Sequence, residues 1–145
     1  ENEKHIEKDN IHQYVSLASP YLQLLEDLTA GEFIDHIKLF KPFVNNFSTK
    51  EILDLIELNH AETKFLKQFS SGMKQRMKLG VAILADVPVL LLDEPLSNLD
   101  EAGRNWYKKM ILNYAKNKTV IVCSNFNEEE YFFTEKKILM EDYKK

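Results

Sequence analysis

Phe69-Ser70-Ser71-Gly72-Met73-Lys74-Gln75-Arg76 opens the stretch that decides the fold, and Val89-Leu90-Leu91-Leu92-Asp93-Glu94-Pro95 followed by Ser97-Asn98-Leu99-Asp100 closes it. An apolar run that ends in two adjacent carboxylates is the pattern of a buried parallel strand reaching a ligand-bearing sheet edge. An Asp at that edge can hold a magnesium ion, often through water, because magnesium prefers oxygen ligands and keeps its waters. The Glu beside it points to the other face of the strand end and can polarise a water for in-line attack on a phosphoryl group. Upstream, Ser70-Ser71-Gly72 begins a helix whose free N–H groups and dipole favour an anion. Taken singly, Asp93-Glu94-Pro95 fits a solvated turn as well, and Ser70-Ser71-Gly72 fits a plain helix cap. Their occurrence together at short range is far more specific than either part.

Working outward, Met73, Met77, Val81 and Leu84 form a stripe that predicts a core-facing helix after Ser70 or Ser71. Asp100 is placed to cap a helix from Glu101 to about Lys116, with Trp106, Met110 and Tyr114 spaced by four. Thr119 to Cys123 and Lys137 to Met140 read as further strands, with a short acidic helix from Glu128 to Phe133 between them. Helix and strand alternate through this half, which predicts an α/β fold with a parallel sheet. The first half reads as mainly helical. A short strand at Tyr14 to Ala18 precedes a helix capped by Thr29 that carries Phe33, Ile37 and Phe40. Ser48 and Glu51 form a capping box for a helix carrying Ile52, Leu55 and Ile56, and residues 59–68 connect onward. Residues 1–13 are polar and without periodicity.

The 145 residues make about one domain, 44% hydrophobic and 29% charged, with a net charge of -4. Such a balance supplies no basic footprint for nucleic acid. No stretch approaches the ~18 apolar residues that cross a membrane. The single cysteine, Cys123, forms no internal disulfide and is expected to be buried in its strand.

Residues 69–100 resemble the signature and Walker B region of ATP-binding cassette ATPases, the nucleotide-binding subunits of ABC transporters, and the likeness extends from about residue 14 to 140. Phe69-Ser70-Ser71-Gly72-Met73 stands where that family has Leu-Ser-Gly-Gly-Gln, and Lys74-Gln75-Arg76 follows as the family's helix does. The resemblance implies a partial P-loop NTPase-like domain, with a helical subdomain followed by parallel strands alternating with helices. Residues 1–28 would hold an N-terminal segment and a glutamine-loop-like region. Residues 29–68 would form the helical subdomain, and residues 69–145 the signature helix, Walker B strand, D-loop and C-terminal αβ part. Asp93 matches the Walker B aspartate that holds magnesium through water, and Glu94 the catalytic glutamate. Ser97 to Asp100 match the D-loop, with Asp100 at a dimer interface. Ser70, Ser71 and Gly72 would reach the nucleotide of a partner subunit.

The chain also departs from the family. Ser71 replaces a glycine, Met73 a polar residue, and Asn125 stands at the position of the switch histidine; it can donate a hydrogen bond but carries no charge. The usual glutamine falls near Pro20, with Gln23 nearby and read as an exposed loop residue. By sequence position, none of His5, His12, His36 and His60 can replace the switch histidine. No Gly-Lys pair occurs, so the loop that wraps phosphates is missing. With a start at Glu1 rather than Met, this chain is expected to be the C-terminal portion of a longer ATPase. The intact protein would use ATP and Mg2+, pair with a second ATP-binding subunit, dock on a transmembrane permease and sit in the cytoplasm on the inner face of the plasma membrane. This chain alone would bind no nucleotide. The alternative is a degenerate cassette with a regulatory or scaffolding role and no ATPase activity. DNA-repair and chromosome-type ATPases share the signature and Walker B but carry long coiled coils, and no sustained heptads occur here.

Overall fold

A computed structural model describes residues 7–125 and 127–143. Residues 1–6 of the polar segment, with His5, lie outside the described residues. Three parallel strands form one sheet in the order β1 (Val15–Ala18), β2 (Val89–Asp93), β3 (Thr119–Cys123). Between β1 and β2 lie helices α1 (Ala30–Lys38), α2 (Thr49–Leu55) and α3 (Ser71–Leu84), and α4 (Glu101–Tyr114) links β2 to β3. Parallel neighbours require such crossovers, which is why an α/β alternation in sequence becomes a parallel sheet. The register pairs Ala18 with Leu92, and Asp93 with Cys123, so the C-terminal ends of all three strands share one edge.

Side-chain alternation gives the sheet two different faces. Ser16, Ala18, Leu90 and Leu92 are buried on one, where the Ser16 hydroxyl donates to the Ala82 carbonyl of α3 at 2.8 Å. Leu17, Ile121 and Cys123 lie exposed on the other. The expectation of a buried Cys123 is therefore corrected. β3 is an edge strand, and position 123 alternates onto the open face.

Local signals set the helix starts. Thr29 with Glu32, and Ser48 with Glu51, each form a complete capping box, and Ser70 accepts from the Met73 N–H to begin α3. Of the expected α1 face, Phe33 is buried and Ile37 half-buried, whereas Phe40 lies beyond the helix end and is exposed. On α3, Met77 and Leu84 are buried, while Met73 and Val81 are half-buried. Leu79, Gly80 and Ile83 are also buried, because α3 contacts β1 and α4 on the sheet side and Ile56 of the helical layer on the other. One continuous core joins Ile34, Ile52, Leu53 and Leu66 to Leu90, Leu92 and Tyr107.

Two expectations from the C-terminal part are corrected. Lys137 to Met140 form no strand. The segment pairs with neither free edge of the sheet, Ile138 and Met140 are exposed, and a short 3-10 turn follows at Met140–Tyr143. An apolar run becomes a strand only where a neighbour satisfies its backbone groups. The acidic helix shrinks to a 3-10 turn, Glu128–Glu130, capped by the side chain of Asn127. Conversely, Lys8–Gln13 in the segment read as aperiodic folds as a 3-10 helix against β1.

Candidate functional site

Asp93 ends β2 and is half-buried. Across the sheet edge, Ser19 follows the last residue of β1, and its hydroxyl donates to Asp93 Oδ2 at 2.9 Å. The Tyr21 N–H donates to the same Ser19 oxygen at 3.3 Å. Asp93 Oδ1 accepts no hydrogen bond from the described residues. Ser19 was not singled out from the sequence; its only signal is a hydroxyl one residue past a strand that neighbours β2. Gln23 is exposed, and no hydrogen bond among the described residues joins it to Asp93.

Glu94 turns the chain sharply, with φ at 41°, in the left-handed region that a non-glycine residue seldom occupies. Its N–H donates to the Cys123 carbonyl at 2.9 Å, and its own carbonyl accepts from the Ser97 N–H at 3.0 Å. These bonds hold the turn against its local cost of about 1–3 kcal/mol. Both carboxylate oxygens are engaged. Asn125 Nδ2 donates to Oε1 at 2.6 Å, and the Ser97 hydroxyl lies 3.4 Å from Oε2. Thus Asn125, expected at the switch-histidine position, meets Glu94, the carboxylate expected to activate water.

The loop beyond Glu94 is fixed from beneath. Gln75, buried on α3, donates to the Pro95 carbonyl at 3.0 Å. The buried Glu130 carboxylate accepts from the Leu96 N–H at 3.2 Å, while the Tyr107 hydroxyl donates to the Glu130 carbonyl. Burial, and then the charge of Glu130, push the Tyr107 phenol well above its usual range, so it stays a neutral donor. Neither Gln75 nor Glu130 is identifiable as a loop support from sequence alone. Asn98 is again left-handed, at φ 62°, and Asp100 caps α4 by accepting from the Gly103 N–H at 2.8 Å.

Ser70 and Ser71 are exposed at the start of α3, and Gly72 is half-buried. A Cβ on Gly72 would stand 3.2 Å from the Asn98 carbonyl, so the helix start lies directly against the loop that follows the carboxylates. The cations of this helix are already engaged: Lys74 pairs with Glu26, and Arg76 pairs with Glu57 and sits 5.4 Å from the Trp106 ring centroid. Lys78 donates to the Pro20 carbonyl at 2.7 Å, tying α3 to the turn that carries Ser19. Burial, with Lys74 adding repulsion, holds the Lys78 ammonium below its ordinary value.

No group of three His, Cys, Asp or Glu residues that could hold a metal ion occurs among the described residues. Asp93 nevertheless suits a magnesium ion that keeps its waters and takes its other oxygens from a nucleotide, since such ions are bound through only one or two carboxylates.

The sequence model of the family described as ABC transporter matches residues 2–97. An uncharacterized ABC transporter ATP-binding protein of Bacillus subtilis, YcbN, is 33% identical over 69% of this chain and 33% of its own length. Another, from the cyanobacterium Nostoc, is 34% identical over 83% of this chain and 38% of its own. The aliphatic sulfonates import ATP-binding protein SsuB of Bacillus thuringiensis is 29% identical over 83% of this chain and 46% of its own. The chain thus spans less than half the length of these relatives. A solved dimer of the ATP-binding cassette MJ0796 in a post-hydrolysis state, bound to ADP and Pi, shares the fold with a TM-score of 0.71 and 23% identity, over 88% of this chain and 60% of that one. No described helix is long and apolar enough to cross a membrane. By sequence and by fold, this α/β chain belongs to the ABC transporter ATP-binding family.

Proposed function

We propose that this chain is part of the ATP-binding and ATP-hydrolysing subunit of an ABC transporter, and that the intact protein powers transport across a membrane. Residues 1–28 carry the glutamine-loop-like region, 29–68 the helical subdomain, and 69–145 the signature helix, Walker B, D-loop and C-terminal αβ part. The observation that carries this reading is the convergence of Asp93, Glu94 and Asn125 at one sheet edge, with Glu94 held in a strained turn.

In that role Asp93 would hold, through water, the Mg2+ that comes with ATP, and the ion would supply neutralisation of phosphate charge. Glu94 accepts a proton from the attacking water at Oε1 or Oε2, and Asn125 orients that carboxylate. Ser70, Ser71 and Gly72 offer helix N–H groups to the nucleotide of a second ATP-binding subunit, and Asp100 lies at that dimer contact. A transmembrane permease is the further partner, with the subunit in the cytoplasm against the inner face of the membrane.

A second reading, a degenerate cassette that regulates or scaffolds without hydrolysis, is favoured by one observation. Asn125 is neutral and its amide is committed to Glu94, leaving no charged group at the switch position. ATP turnover by the longest gene product that contains this chain separates the two. Hydrolysis that falls by about a hundredfold or more in Glu94→Gln supports the first, and wild-type turnover no faster than Glu94→Gln supports the second.

A further inference from the structure

We propose that Ser19 is a positioning residue for the magnesium-binding carboxylate, linking the loop after β1 to Asp93; this rests on the reading of Asp93 as the metal-holding aspartate. The geometry is directional. A serine hydroxyl has one proton and two lone pairs. The Tyr21 N–H occupies a lone pair of Ser19 Oγ at 3.3 Å, and the proton is directed at Asp93 Oδ2, 2.9 Å away. Ser19 is only 7% exposed, so water competes poorly for that proton. One carboxylate oxygen is thereby fixed, and Oδ1 remains for a metal-bound water. Partners of this kind set the orientation and basicity of a metal-holding group.

The same residue anchors the loop that follows. The Leu22 N–H donates to the Ser19 carbonyl at 3.2 Å, and Lys78 of α3 holds the Pro20 carbonyl. Pro20, near which the resemblance sets the family's glutamine, has no side-chain donor or acceptor, so its contribution ends at that carbonyl. Tyr21, Leu22 and Leu25 then lie exposed. The side-chain link from this loop to Asp93 therefore runs through Ser19.

Manganese, a spectroscopic substitute for magnesium, tests this in the longest gene product that contains the chain. Electron paramagnetic resonance would measure Mn2+ affinity in the presence of a saturating non-hydrolysable ATP analogue for wild type, Ser19→Ala, Ser19→Thr and Asp93→Asn. The expected result is a loss of about tenfold or more in Mn2+ affinity for Ser19→Ala, recovery in Ser19→Thr, and a loss at least as large in Asp93→Asn. Metal-free binding of the analogue should stay level in Ser19→Ala, which shows that the fold survives. Wild-type Mn2+ affinity in Ser19→Ala, alongside a loss in Asp93→Asn, overturns the role of Ser19 and leaves Asp93 standing. An unrecovered loss in Ser19→Thr also overturns it, since the hydroxyl is then not the cause. Wild-type affinity in Asp93→Asn removes the reading of the metal site itself.

Discussion

Glu94 concentrates the chemistry of the site in one residue. Its backbone is left-handed, its carboxylate takes a 2.6 Å bond from Asn125, and its neighbour Asp93 takes one from Ser19. A hydrogen bond to a charged group is worth about 1.5–3 kcal/mol. Asn125→Ala should therefore lower ATP turnover of the longest gene product by about tenfold, read from steady-state phosphate release, while nucleotide affinity holds. Lys118 provides a residue-scale test away from the site. Its ammonium donates to the carbonyls of Ile83, at 2.7 Å, and Ala85, and burial pushes it down to about 8 from 10.5, with Asp86 pulling the other way. A neutral amine keeps two N–H donors, so both bonds survive deprotonation. Between about pH 8 and 10.5 the unfolded chain retains a proton that the folded chain has released, so this group makes stability rise with pH across that window. The melting temperature of wild type relative to Lys118→Gln should move in favour of wild type as pH rises through it; a constant difference would show that Lys118 titrates normally. Asp93 and Glu94 could be proposed from sequence because they close an apolar strand, and Asn125 because the family resemblance sets it at the switch-histidine position. Ser19 could not, because its partner lies 74 residues away and only strand pairing brings the two together.

At the scale of elements, α3 does the most. It touches the sheet, supports the loop after Glu94 through Gln75 and meets the helical layer at Gly80. A Cβ on Gly80 would stand 2.1 Å from Ile56 Cγ2, in a core where Ile56 is fully buried. Helix propensity alone favours Gly→Ala by about 1 kcal/mol, but overpacking costs about 1–3 kcal/mol. Packing wins, and Gly80→Ala should lower stability in urea unfolding. Ile56→Ala in the same chain should recover part of the loss attributable to the clash, giving a non-additive double-mutant cycle. The caps follow a simpler rule: Ser48→Ala removes a complete capping box and should cost about 1 kcal/mol. Helix starts were readable because a cap is a local hydrogen-bond pattern, satisfied within four residues whatever the rest of the chain does. The strand expected at Lys137 to Met140 was misread for the converse reason, since a ladder depends on a partner that periodicity does not supply.

For the whole molecule, the open sheet face is the outstanding feature. Leu17 and Ile121 are 46% and 53% exposed there, beside Cys123 and between two sheet edges that pair with no further strand among the described residues. Such surfaces favour association, so the 145-residue chain expressed alone should exceed a monomer's mass in light scattering. Cys123 should react with a thiol reagent without denaturant in that preparation, and slow reaction would show the face to be covered. Calorimetry on the same preparation should detect no Mg-ATP binding, because no residue here supplies the phosphate-wrapping loop; micromolar affinity would count against the proposal that this chain is one part of a cassette. The family and the carboxylate pair were written in residues 69–100, the α/β class in the alternation that runs on from them, and the helix caps at Thr29, Ser48, Ser70 and Asp100, since motifs and caps are short-range and survive without tertiary context. The partners of those carboxylates, the open face that exposes Cys123 and the crowding at Gly80 were decided only by tertiary structure, because each arises where segments distant in sequence are placed side by side by the parallel sheet and its crossovers.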